Sequence, residues 1–184
     1  MRLALAAAAA FLLAACATAP RPTAEQSWAG RFSVTATLGD WRDSVSGRFL
    51  LERSPGFLAL DLSTPVGGTV ARIEIDAAGA RARGVQIAET RGPDAEALTQ
   101  QLLGFGLPVR GLPDWIEGRP MPDRIATIEP QGGPIERIEQ DGWRISILER
   151  SATGTPRRLL MERAELDGAP AVKLQLVLDA PAAP

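Results

Sequence analysis

Few groups in this 184-residue chain are able to do covalent or acid–base chemistry. Histidine and tyrosine are absent, Lys173 is the only lysine, and Cys16 is the only cysteine. Without histidine there is no usual general base, no commonest metal ligand and no Ser-His-Asp triad. Lys173 alternates with apolar neighbours in a strand pattern, which argues against a Schiff-base role. No GxSxG, P-loop or CxxC motif occurs. Gly104-Phe105-Gly106 would open a GxGxxG, but Val109 stands where the third glycine belongs and no βαβ unit precedes it. Paired carboxylates alone can hydrolyse glycosides, yet such pairs occur on any surface and say little by themselves. The expectation is a protein that is not an enzyme and uses neither a metal nor an organic cofactor. That leaves the thiol of Cys16, which cannot close an internal disulfide and needs another use.

The residues before Cys16 supply that use. Arg2 is followed by the apolar run Leu3–Leu13 and by Ala14 and Ala15. The run is shorter than the roughly 20 residues that span a bilayer, and the layout is that of a secretory signal peptide. A buried N-terminal helix is the alternative, but nothing amphipathic supports it. Leu13-Ala14-Ala15-Cys16 resembles the bacterial lipobox. The resemblance implies removal of residues 1–15, a diacylglycerol on the Cys16 thiol and acylation of the new amino group. At about 0.8 kcal/mol per buried methylene, three acyl chains make a firm anchor without a transmembrane helix. Ala17 follows where an aspartate would mark inner-membrane retention, so the resemblance points to the outer membrane. Residues 16–27 then comprise the lipidated cysteine and a Pro/Ala/Thr-rich tether, 28–180 one folded domain, and 181–184 a short tail.

With a net charge of −2 the chain shows no electrostatic footprint for nucleic acid. With no cysteine pair, its core must be held by burial alone. The domain that must do this opens as a strand-rich chain. In "GRFSVTATLG", Phe32, Val34, Ala36 and Leu38 share one face; "DSVSGRFLLER" puts Val45, Gly47, Phe49 and Leu51 in phase. Leu58, Leu60 and Leu62, then Ala71, Ile73 and Ile75, continue the pattern, and "RARGVQIAE" is compatible with a further strand. The period then changes. "PDAEALTQQLLGFGLP" predicts a helix capped by Asp94 and stopped at Gly104, with Ala95, Leu98 and Leu102 on one face. "LPDWIEGRP" predicts a shorter helical turn with Pro113 near its start. Strands resume at "RIATIEP", "IERIEQ", "WRISILE", "RRLLMERAEL" and "AVKLQLVLD", with hairpin signals at Asp141-Gly142 and Asp167-Gly168. The fold class is mainly β (α+β), an antiparallel sandwich or barrel whose one apolar face must be covered.

A curved sheet with an apolar face and a helical insert is either a packed core or a half-barrel with a lid over an apolar ligand. Periodicity does not separate the two. Four stretches carry a resemblance that does: the lipobox; "GRFSV" with "GRFLLER"; "LALDLSTPVGGTVARIEI"; and "LTQQLLGFGLPVRGLPDWIEGRP". With "QDGWRISI" and "AVKLQLVL", they make the chain similar to the LolB family over about residues 28–178. The resemblance implies an unclosed antiparallel β-barrel with a helical lid over an apolar cavity. It implies a monomer lipid-anchored on the periplasmic face of the outer membrane. Its partners would be the periplasmic lipoprotein carrier LolA, acylated lipoprotein cargo and outer-membrane lipid. The expected cavity lining is Phe32, Val34, Phe49, Leu51, Leu58, Leu60, Ile73, Ile75, Trp143, Ile145 and Ile147, with Leu98, Leu102 and Trp115 from the lid. In the family an exposed leucine in an Asn-Pro-Leu-Gly loop is functional. Here that place reads Thr64-Pro65-Val66-Gly67, so Pro65, Val66 and Gly67 would form the membrane-touching tip. The rival is a structural envelope lipoprotein, a scaffold with a filled core and no transfer role.

Overall fold

The computed structural model describes residues 23–85 and 88–180. The signal sequence, Cys16, most of the tether and the tail at 181–184 lie outside the described residues. Eleven strands form one antiparallel sheet: β1 (Gln26–Leu38), β2 (Trp41–Ser54), β3 (Phe57–Ser63), β4 (Thr69–Asp76), β5 (Gly79–Gly84), β6 (Thr90–Gly92), β7 (Ala126–Glu129), β8 (Arg137–Gln140), β9 (Trp143–Arg150), β10 (Pro156–Arg163) and β11 (Ala171–Leu178). The spatial order is β6-β5-β4-β3-β2-β1-β11-β10-β9-β8-β7. Two meanders therefore meet where the first strand pairs with the last. β6 and β7 are the free edges, so the barrel is unclosed, as the resemblance implied.

Between those edges the chain supplies the lid. Helix α1 (Ala95–Leu103) begins where the Asp94 carboxylate accepts the Ala97 N–H at 2.8 Å and ends at Gly104, whose φ of 80° closes the last turn. Helix α2 (Leu112–Ile116) has Pro113 in its first turn, where a missing N–H costs nothing. Both helices bury apolar side chains against the sheet: Ala95 and Leu98 from α1, Leu112, Trp115 and Ile116 from α2. No helix of the described residues is long and apolar enough to cross a membrane.

Two local readings of the sequence are corrected by the coordinates. The strand expected across "RARGVQIAE" stops at Gly84, where a Cβ would lie 2.2 Å from the Val70 carbonyl oxygen; Gln86 and Ile87 fall outside the described residues. Val45 is in phase with the interior residues yet is 50% exposed. β3 pairs with β2 only between Arg48 and Ser54, so the first half of β2 has β1 as its sole neighbour. Part of the outward face is sealed as well. Arg72 and Glu74, which alternate with Ile73 and Ile75, are as buried as those isoleucines.

Candidate functional site

The interior face is assembled row by row from strand register. Ile138, Ile145, Met161, Leu174 and Val34 lie in one cross-strand row, all buried. On the other flank Leu51, Leu60, Ile73 and Ala82 form a second such row. The lid closes over both with Leu98, Phe105, Leu107, Val109, Leu112, Trp115 and Ile116 in one continuous apolar cluster. All fourteen residues expected from the sequence belong to this interior, with Phe32, Leu102 and Ile147 half-buried at its margin. They do not all border open space. A cavity of about 920 Å³ lies between lid and sheet, and of the fourteen only Leu58, Ile75, Trp115 and Trp143 line it. The other ten pack against one another in this closed arrangement.

One row departs from the apolar rule. At the rim the inward positions read Ala126, Gln140, Trp143, Arg163, Val172 and Ala36. Gln140 and Arg163 are polar where the alternation calls for apolar residues, and both hold the lid. The Gln140 Oε1 accepts the Trp115 indole N–H at 2.9 Å and the Met121 N–H at 2.8 Å, while its Nε2 donates to the Met121 carbonyl at 3.1 Å. Arg163 donates to the Glu96 carboxylate of α1 and reaches the Gly106 carbonyl at 3.4 Å. Its guanidinium lies 4.9 Å from the centre of the Trp143 ring, within cation–π range. A further tie runs from Arg53 on β2 to Asp114 on α2, 3.7 Å apart. The lid is thus clipped to the barrel by a few polar contacts around an apolar contact area.

The second feature lies on the β3–β4 hairpin. Its tip, Thr64–Gly68, is closed by the Gly67 N–H donating to the Thr64 carbonyl at 3.0 Å and the Thr64 N–H donating to the Gly68 carbonyl at 2.9 Å. The Thr64 hydroxyl accepts the Gly68 N–H at 3.2 Å. Gly67 has a φ of 100°, which a side chain would strain. Pro65 and Gly67 therefore fix the turn, and Val66 between them is 95% exposed. Val70 on β4 is 45% and Val85 80% exposed, and the Val85 N–H donates to the Val70 carbonyl at 3.2 Å.

Gln140 and Arg163 were not foreseen. Their signal was present in the sequence, since Gln140 is in phase with Ile138 and Arg163 with Leu159 and Met161. A polar residue at an inward position of an otherwise apolar alternation marks something other than core. Among the described residues no cluster of three potential metal ligands exists.

Comparison with known proteins bears on this arrangement. Residues 25–180 match the family model described as "Outer membrane lipoprotein LolB". The chain is 37% identical over 176 residues to the outer-membrane lipoprotein LolB of Thiobacillus denitrificans, covering 90% of this chain and 92% of that one. It is 32% identical over 192 residues to the LolB of Cupriavidus pinatubonensis, covering 95% and 91%. Against the LolB of Bordetella pertussis it is 37% identical over 166 residues, covering 84% and 81%.

Proposed function

The chain belongs to the LolB family of outer-membrane lipoproteins, a family of lipoprotein localisation and not of enzymes; from that premise we propose that it receives the acylated end of a lipoprotein from the carrier LolA and delivers it into the outer membrane. The observation that carries this reading is the apolar interior under a lid held by few polar contacts. Acyl chains in water cost about 0.8 kcal/mol per methylene, so a receptor must offer apolar surface in exchange. The 920 Å³ cavity, walled by Leu58, Ile75, Leu107, Val109, Trp115 and Trp143 and by charged side chains such as Arg53, Asp114 and Arg124, opens part of that surface and lies within the usual range of about 300–1,000 Å³ for ligand sites. The packed rows behind it become acyl-binding wall when the lid lifts. The expected lining, including the ten residues now packed together, acts in this reading as one adaptable surface.

Delivery is a separate task. Cys16 carries the lipid anchor and the tether lets the domain approach the bilayer. Val66, held outward by the turn, touches the membrane and eases cargo out of the cavity. Transfer runs toward whichever partner binds the chains better, so no nucleotide is needed at this step.

The test uses the mature chain with Cys16→Ala, which removes the anchor and leaves the domain. LolA loaded with a labelled lipoprotein is mixed with it, and the label is followed by size. Movement of cargo onto the chain is the expected outcome. Cargo that stays on the carrier overturns the reading and leaves the scaffold alternative.

A further inference from the structure

The rim row contains the one buried side-chain polar atom among the described residues with no hydrogen-bond partner in the protein: the indole Nε1 of Trp143. Trp143 is 2% exposed, and its ring forms part of the wall of the 920 Å³ cavity. An indole N–H is a donor only, and a buried donor without an acceptor is unfavourable. The contrast with Trp115 is direct. That tryptophan is equally buried, and its N–H is satisfied by Gln140, the residue opposite Trp143 in the register. Beside Trp143 lies the second donor, the Arg163 guanidinium, stacked on the ring and engaged by Glu96 and the Gly106 carbonyl of the lid segment.

The geometry points to Trp143 and Arg163 as a lid-gated hydrogen-bonding subsite for the carbonyl oxygens at the acylated end of the cargo. This inference rests on the transport reading above. An acylated cysteine presents ester and amide carbonyls at the junction between its chains and its peptide. Those oxygens accept hydrogen bonds and carry no charge, which suits a neutral indole donor. A purely apolar cavity would leave them unpaired once water is expelled. Lifting α1 takes Glu96 and Gly106 away from Arg163. Its donors are then free, and the Trp143 edge, enclosed in the closed arrangement, becomes reachable. The carbonyls replace the lid contacts. The row then fixes how deep the chains sit, because the polar junction stops at the rim while the chains occupy the apolar rows beyond it.

The experiment compares two synthetic cysteine lipopeptides with the same chains, one with ester-linked glycerol acyls and one with ether links in their place. Binding to the mature Cys16→Ala chain is measured for wild type and Trp143→Phe, which keeps the aromatic ring and deletes the N–H. Wild type is expected to prefer the ester peptide by about three- to tenfold, the size of one net hydrogen bond. Trp143→Phe should shrink that preference, since the Arg163 donors remain, and leave affinity for the ether peptide unchanged. A preference undiminished by the substitution, or an equal loss for both peptides, overturns the subsite. If wild type binds both peptides equally, the subsite falls and the transport reading stands; if it binds neither, both fall. Should Trp143→Phe fail to fold, the indole N–H resonance of Trp143 in wild type decides: it shifts with the ester peptide and not with the ether peptide, and a shift with neither overturns the proposal.

Discussion

The two halves of the sheet carry the same alternation on their outward faces and use it differently. On β2–β5, Glu52, Asp61, Arg72, Glu74, Arg81 and Arg83 stand at adjoining outward positions and cover one another. The side chains of Arg72 and Glu74 are only 8% and 9% exposed, joined at 2.7 Å, with Asp61 also on Arg72 and Arg81 on Glu74 at 2.7 Å. On β8–β11 the corresponding ladder is Glu139–Arg144 at 3.0 Å and Glu162–Lys173 at 3.4 Å, and every member is at least 40% exposed. The first half bears the hairpin that presents Val66. The second bears the row that clips the lid. Ionic contacts are thus sealed on the half that bears the tip and left wet on the half that clips the lid. An ion pair at a surface contributes little, whereas removing one partner of a buried group strands a charge.

Four changes would break or sharpen that contrast. Arg72→Met should have the largest effect, about 1.5–3 kcal/mol of stability in urea unfolding, because Glu74 and Asp61 lose their shared cation while Arg81 still pairs with Glu74. A loss under about 1 kcal/mol would erase the difference between the halves. Acid comes next. Burial by itself would raise the Glu74 pKa, but hydrogen bonds and charge from Arg72 and Arg81 outweigh it and hold the carboxyl below its ordinary value of 4.5. The resulting stability is fully present above that value and is lost as pH falls through the lower folded one. The melting temperature should therefore drop below about pH 4.5, and Glu74→Gln should flatten that fall. Arg144→Ala, in the exposed ladder, should cost only about 0.2–1 kcal/mol and less in high salt. Smallest for stability is Val66→Glu, within about 0.5 kcal/mol. Its effect is on function: cargo should still load from LolA but leave poorly for outer-membrane vesicles. Unimpaired delivery would reduce the tip to a turn.

The fold was legible wherever one residue type at one spacing decided the matter. Asp94 and Gly104 bracket α1, and Asp141-Gly142 and Asp167-Gly168 sit at turns with positive φ, as their chemistry requires. Interior residues such as Ile145 and Leu60 followed from period two. Period says which face is inward, not whether a neighbour lies across from it. Trp41 and Val45 are inward and exposed for that reason. It was equally silent on Arg72, which is covered by Glu52 and Asp61 of two other strands and Glu74 of its own. Cavity and packed wall look alike in sequence, so Leu58 and Leu60 could not be told apart, although only the former lines open space. The rim pair Gln140 and Arg163 shows in the sequence only as a break in phase.

The pairing of β1 with β11 carries a consequence for how the molecule forms. Every other strand pairs with its neighbour in sequence, so each meander assembles from local contacts, while this pair joins the two ends of the domain. Its closeness is built in at Gly30, where a Cβ would lie 2.3 Å from the Val177 carbonyl oxygen. Closing so long a loop is the slow kind of event in folding, since its entropy cost falls due before its contacts form. Until β11 arrives, β1 and β10 are open edges ready to pair with another chain. The last of the eleven strands in sequence is therefore the one that turns two sticky half-sheets into a single vessel.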